Sequence, residues 1–302
     1  LIRQRSSSIP NVIAQMRLLH LNVVLAAVAG DESSVNVLRG AHELAMAAGA
    51  TLHVVHVGSH AGPRDRFLAD AGLSTSDAQL HVLDGEAADA IRSLGDRIHA
   101  DVIILGRHRG RAGDQPPMGS TALAVVSSSW APCLILTQPL RLPLERVLVP
   151  VDLSDTSRGA LVIALSWASA LRRGGKASGP TTHNTAVDLT ALHVERVLGD
   201  HRARPQTRTL YEELSHIRRD AGRWADVAIN GAVVANDDVA LAIADYAREH
   251  HADLVVLGTR GSNLNSEARL GSVSLGILRR VASPVLLVPP AVWISYAAAS
   301  KS

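Results

Sequence analysis

Aromatic residues are scarce. Only 3% of the 302 residues are Phe, Trp or Tyr, with a single phenylalanine, although 47% are hydrophobic. The core must therefore be built from Val, Leu, Ile and Ala, which suits buried parallel strands covered by helices on both faces. Cysteine is nearly missing: Cys133, in the apolar run after Pro132, rules out an internal disulfide and a cysteine metal cluster. That usage points to a reducing compartment, so a cytoplasmic location is expected. There is no apolar run of membrane-spanning length, so no membrane span is expected. Arg17 followed by Leu18 to Gly30 has the outline of a signal peptide, but His20 and Asn22 interrupt it and a similar segment returns at Arg146–Asp152, so a strand accounts for both. Charge of one sign is missing too: 30 basic and 28 acidic residues are interspersed for a net +2, and no nucleic-acid partner is expected. The 14 histidines show no HExxH spacing, so no metal site made of protein ligands alone is expected.

What is present is a repeat. Asp101-Val-Ile-Ile-Leu-Gly106 returns 152 positions later as Asp253-Leu-Val-Val-Leu-Gly258. Gly119-Ser120 returns as Gly271-Ser272, and Pro132-Cys-Leu-Ile-Leu136 as Pro284-Val-Leu-Leu-Val288, both at the same offset of 152. Upstream the offset shrinks to 137 for His56-Val57 against His193-Val194, and to 123 for Ser34, Leu38, Ala41 and Ala45 against Ser157, Leu161, Ala164 and Ala168. The second copy therefore carries two insertions. One is a solvated loop over Arg172–Asn184, and the other adds to a helix near Pro205–Gly222, where Leu210, Leu214 and Ile217 have helical spacing.

Each copy alternates β-branched runs with amphipathic ones. In the second copy, strands are predicted at Val147–Val151, Leu189–Val194, Val227–Ile229, Leu254–Leu257 and Val285–Val288. Helices are predicted at Ser157–Leu171, in the Arg-rich insertion, at Val239–His251 and after Gly271. Such alternation implies a parallel sheet with right-handed crossovers. The predicted architecture is α/β: two tandem Rossmann-like domains, residues 18–140 and 145–292, each a five-stranded parallel sheet flanked by helices. The linker Gln138–Glu145, with Pro139 and Pro143, is short enough to hold them together.

Open parallel sheets take ligands beyond the carboxyl ends of the strands, where the strand order reverses. There the second copy should place Asp152-Leu-Ser-Asp155 and Gly258-Thr-Arg-Gly261. Gly258 and Gly261 allow main-chain amides to approach phosphate, and Gly271-Ser272 opens a helix whose dipole and uncapped amides favour an anion. Ser272 and Ser274 add hydroxyls and Arg260 adds charge. Each element also has a plainer reading. The glycines could form an ordinary strand-to-helix turn, Asp152 could serve the cap of the next helix, His56 and His193 read as structural strand residues, and His250 and His251 suit a helix end.

This pattern resembles the ATP-binding class of the universal stress protein family, whose motif is Gly, two residues, Gly, nine residues, Gly, then Ser or Thr; Gly258, Gly261, Gly271 and Ser272 match it. The resemblance covers about residues 20 to 290 and implies an adenine-nucleotide-hydrolase-like fold. It also implies a nucleoside held by Asp152 after Pro150-Val151, an adenine wall at Val194, and a phosphate cradle that includes Val273. ATP is the implied cofactor, with ADP or AMP as alternatives and Mg as companion to the phosphates. In the first copy Gly106, Gly110, Gly119 and Ser120 make a weaker site, because Arg109 takes the place of the second glycine and Ala29 that of Asp152. The basic run Arg107, His108, Arg109 and Arg111 reads as a solvated edge, or as a receiver for an acidic partner or phosphate.

The resulting expectation is a stress-response module that binds ATP in its second domain as a regulatory switch, with no catalytic residues, a protein partner of unidentified kind and a homodimeric assembly. The family also implies that last strands can pair between domains, which in a tandem chain makes an internal pseudo-dimer. Two alternatives stand beside it: a slow ATP-hydrolysing or adenylating enzyme, and a scaffold that ignores nucleotide.

Overall fold

Apolar runs too short for helices become strands here, and the amphipathic stretches between them become the crossovers. A computed structural model describes residues 21–30, 33–58, 66–107, 118–136, 138–173, 186–196, 209–212, 214–215, 226–260 and 270–290. The first half contains β1 (Val23–Val28), α1 (Ser33–Ala48), β2 (Thr51–Val57), α2 (Arg66–Asp70), β3 (Gln79–Leu83), α3 (Ala87–Ile98), β4 (Val102–Gly106), α4 (Ser120–Ser128) and β5 (Cys133–Leu136). The second contains β6 (Arg146–Pro150), α5 (Asp155–Arg173), β7 (Val187–Glu195), β8 (Val227–Ala235), α6 (Val239–Glu249), β9 (Leu254–Gly258), α7 (Ser272–Arg280) and β10 (Val285–Val288).

All ten strands join one sheet in the order β3-β2-β1-β4-β5-β10-β9-β6-β7-β8. The two halves have the same internal order and are parallel throughout. The two five-stranded parallel sheets join through their last strands, as the family resemblance implied, into one sheet with an antiparallel seam where Val285, Leu286 and Leu287 face Ile135, Leu134 and Cys133. Both seam strands are buried along their whole length, so each needs its outer edge covered as well as its faces.

Helices α1, α2 and α5 cover one face, packing Leu38, Phe67, Leu68 and Trp167 on Val24, Val54 and Val149. Helices α3, α4, α6 and α7 cover the other, packing Ile91, Val125, Ile243 and Ile277 on Leu25, Ile103 and Val255. Both cores run through the two halves without a break, and the connecting segment is drawn in by buried Leu140 and Leu144. Among the described residues no helix is long and apolar enough to cross a membrane.

A repeated clamp fixes the strand starts. Asp101 Oδ2 accepts the N–H groups of Asn22 (2.7 Å) and Val23 (2.9 Å), and Asp253 Oδ2 accepts those of Glu145 (3.1 Å) and Arg146 (2.9 Å). Both carboxylates are buried, and each supplies the acceptor that two otherwise orphaned amides need.

Several boundaries differ from the sequence reading, most by one or two residues. Helix α5 runs to Arg173, past the expected loop start at Arg172. Strand β8 extends to Ala235 instead of stopping at Ile229, because it pairs with β7 at nine successive positions that carry it through Asn230-Gly231, a dipeptide with strong turn character. Of the insertion near Pro205–Gly222, residues 209–212 and 214–215 are helical, with Leu210 and Leu214 buried; Ile217 lies outside the described residues.

Candidate functional site

In the second half the strand order reverses between β6 and β9. These neighbours run parallel, Val147 beside Leu254 and Leu148 beside Val255, so the segments leaving their carboxyl ends stand side by side at one edge. Pro150 closes β6, and buried Val151 donates its N–H to Leu192 O at 2.8 Å. Asp152 follows, exposed, with its Oδ1 accepting the N–H and hydroxyl of Ser154. Ser154 in turn caps α5, its Oγ accepting Ser157 N–H at 3.3 Å. The capping reading of Asp152 therefore describes one of its oxygens. Between them Leu153 has φ 62°, a left-handed backbone that a branched side chain adopts only under constraint.

Gly258 closes β9 against the same helix: a Cβ there would come within 2.5 Å of Thr156 Cγ2 and 3.1 Å of Arg260 O. No larger residue fits without moving the start of α5, which ties the two loops together. Half-buried Arg260 follows; Gly261 lies outside the described residues. Gly271 returns to the edge with its N–H on Thr259 O at 2.9 Å and forms the N-cap of α7 in extended backbone, with no side-chain cap bond. Ser272 is exposed at the first position of the helix and Val273 is half-buried. A helix opening on a glycine presents its first amides and its dipole to the edge, a receptor for an anion. Ser274, expected to add a hydroxyl to the site, is buried. Its hydroxyl donates to Gly258 O at 3.0 Å, so it holds the glycine loop to the helix start.

Val194, half-buried on β7, lies opposite Val234. Beside it buried His193 places Nδ1 2.8 Å from Val151 O, and in the first half His56 places Nδ1 3.1 Å from Val28 O. A ring nitrogen facing a carbonyl carries the proton and donates, so both histidines fasten the exit of the first strand to the second strand, as structural residues. Among the described residues no group of three or more His, Cys, Asp or Glu is placed to hold a metal ion.

At the first half's edge, Gly106 closes β4 and Gly119 caps α4, again without a side-chain bond, before exposed Ser120; Gly110, His108, Arg109 and Arg111 lie outside the described residues. Arg107, the first of the basic run, donates from Nη2 to Arg279 O at 3.3 Å and so meets the last turn of α7 across the seam. Exposed Ala29 precedes Gly30, whose φ of 86° matches the left-handed turn at Leu153. The space a side chain would take at Gly30 is filled by Phe67, with Cε1 at 2.9 Å from a built Cβ, and the Phe67 ring also meets His56 at 4.8 Å between centroids. Thr156, Phe67 and the aspartate clamps escape a sequence reading, since their partners are brought near only by the strand order.

A duplicated, doubly wound α/β sheet with a glycine-capped helix at each switch point defines a tandem Rossmann-like protein. The model of the universal stress protein family matches residues 63–137 and 143–289, and the chain belongs to that family. It is 28% identical over 234 residues to universal stress protein Rv1996 of Mycobacterium tuberculosis, covering 72% of this chain and 68% of that protein. A universal stress protein structure from Archaeoglobus fulgidus shares the fold at a TM-score of 0.62 and 18% identity, covering 89% of this chain and 99% of that one. Another universal stress protein, solved in complex with cAMP, overlaps 39% of this chain and 97% of its own at a TM-score of 0.33 and 22% identity; cAMP is that protein's ligand.

Proposed function

We propose that the second half binds an adenine nucleotide, ATP in preference to ADP or AMP, and that occupancy acts as a regulatory switch in a stress response. The reading treats residues 18–140 and 145–292 as two domains, the first with a degenerate site at Gly106, Gly110, Gly119 and Ser120. One observation carries it: Asp152 and the Gly258 loop leave neighbouring parallel strands at the same edge, beside the glycine-capped start of α7. In this reading the ribose meets Asp152, the adenine lies along Val194, and the phosphates rest on the amides after Gly258, Gly261 and Gly271 with Ser272, Val273 and Arg260 around them. Mg would accompany the phosphates as their counter-ion. A ligand shifts a conformational equilibrium only through its different affinity for the two states, so the switch requires a change in shape or partner choice on binding.

Titration calorimetry with ATP, ADP and AMP tests the reading. Asp152→Ala should weaken binding on the order of tenfold, the scale of one hydrogen bond to a charged group. Gly261→Ala should weaken it further for triphosphate than for AMP. Absence of binding by any of the three at millimolar concentration sinks the proposal. Because β5 and β10 already pair with each other within one chain, self-association into a homodimer would use another surface, and light scattering measures it.

A further inference from the structure

Trp130 is 67% exposed, more than any other large hydrophobic residue that stands out of the described surface. It lies in the turn between α4 and β5, which belongs to the first half, yet the seam delivers it to the second. Strand β5 enters the sheet at Cys133 opposite Leu287, and β10 ends one residue later at Val288, level with Gly258 of β9. Three residues upstream of Cys133, Trp130 therefore stands at the edge where β6, β9 and β10 end, beside the candidate nucleotide crevice. The pseudo-twofold relation agrees. Arg107, just past β4, reaches the last turn of α7 across the seam; by the same relation the turn after α4, which carries Trp130, faces the end of β9. The equivalent of Trp130 at the other edge, 152 positions on, is Ala282. Of these two equivalent turns, the one at the edge of the half whose glycine motif is complete carries the aromatic ring.

Along this edge the order of elements is β7 with Val194, β6 with Asp152, β9 with Gly258, β10, and then Trp130 on the line of β5. Four strand spacings of roughly 4.8 Å make about 19 Å from the proposed adenine wall to the indole. That exceeds the length of a nucleoside monophosphate and lies within reach of two nucleosides joined by a phosphate chain. An exposed indole offers a flat face on which a base can stack, and every base has such a face.

We propose that Trp130 is a cross-half contact for the far end of the ligand, and that the second half favours a dinucleoside polyphosphate: one adenosine at Val194 and Asp152, the phosphates over the α7 start, the second base on Trp130. This rests on the nucleotide-binding reading above and narrows its ligand class. The indole binds and orients; no bond is made or broken.

The test compares ATP with diadenosine tetraphosphate by calorimetry on the full chain and on Trp130→Ala and Trp130→Phe, with melting curves to establish that the exposed-site variants fold alike. The wild-type chain should bind diadenosine tetraphosphate more tightly than ATP. Trp130→Ala should lose roughly tenfold for the dinucleotide, the scale of one base–aromatic stack, and less than about twofold for ATP, while Trp130→Phe keeps most of the preference. Equal affinity of the wild-type chain for the two ligands, or an equal loss of both in Trp130→Ala, overturns this inference and leaves nucleotide binding standing. Failure of the wild-type chain to bind either ligand overturns both.

Discussion

The two halves agree where backbone is held and differ where a ligand would lie. Both place an aspartate under the start of their first strand, both fasten the exit of that strand with a histidine, and both open the last helix on a glycine without a side-chain cap. At the crevice the copies part. The first has Ala29, Gly30 and the Phe67 ring; the second has Asp152, Leu153 and Thr156 packed on Gly258. A buried amide without a partner is penalised wherever the fold recurs, so the groups that satisfy it are held in both copies. An exposed loop at a strand end bears no such penalty, and its residues are free to diverge between the copies.

The largest effect expected concerns the seam, where β5 and β10 join the halves into one sheet. Cys133 sits there, buried, in the position that Val285 holds in the other copy, and burial pushes its thiol up to about 12. Since the thiolate is the reactive form and burial withholds the sulfur from the reagent as well, labelling by an aromatic disulfide reagent at pH 8 should be far slower in the native chain than in the urea-unfolded one. Labelling of the native chain at the rate of the unfolded one would mean that the seam opens while the halves stay folded, and that they are less joined than the continuous sheet implies.

Next in size are the clamps. Asp101→Ala and Asp253→Ala each leave two strand-start amides without their acceptor, so each should cost about 3 kcal/mol in urea unfolding. Equal losses would match the symmetry of the framework; a loss confined to one half would break it. Somewhat smaller, Gly30→Leu imposes the second copy's residue on the first. It must meet Phe67 and accept a left-handed backbone, for about 2 kcal/mol in all. Part of that should return in the Gly30→Leu, Phe67→Ala double variant, and a cycle with no coupling would show that the two crevices are not filled in exchange for one another.

Much of this could be read from residue order. The strings Asp101–Gly106 and Asp253–Gly258 announce equivalent buried strands because an all-apolar run between a polar start and a glycine suits a central parallel strand. The glycine pattern, through its family resemblance, pointed to the edge proposed above for a ligand. What stayed hidden depends on three-dimensional neighbours. Nothing in the local sequence says that the hydroxyl of Ser274 is taken by Gly258 O, or that the register at Cys133 and Leu287 brings Trp130 to the other half's edge. The length of β8 was hidden in the same way: Asn230-Gly231 has a local turn preference that loses to the ladder with β7.

The smallest effect separates the halves by pH. On the α3 side of the first half, His53 Nδ1 and His81 Nε2 are 3.0 Å apart, with ring centroids 5.2 Å apart and planes 14° from parallel, so the imidazoles meet nearly edge to edge and share a proton. The second copy has Thr190 in the place of His53 and, by the registers of β2 with β3 and β7 with β8, Ala232 in the place of His81. Burial lowers both histidines from the usual value, with His81 adding to the effect at His53 and the Arg97 guanidinium adding to it at His81. A lowered folded-state value means that the unfolded chain takes up protons first as pH falls. The stability these rings contribute is therefore complete above the unfolded value of about 6.5 and is lost as pH drops below it. Grafting the second copy's residues, His53→Thr with His81→Ala, should flatten the fall in melting temperature between pH 7 and 5 without moving the alkaline side. A double variant whose pH profile runs parallel to the wild type would show that the acid sensitivity belongs to other groups, and that the two halves titrate alike.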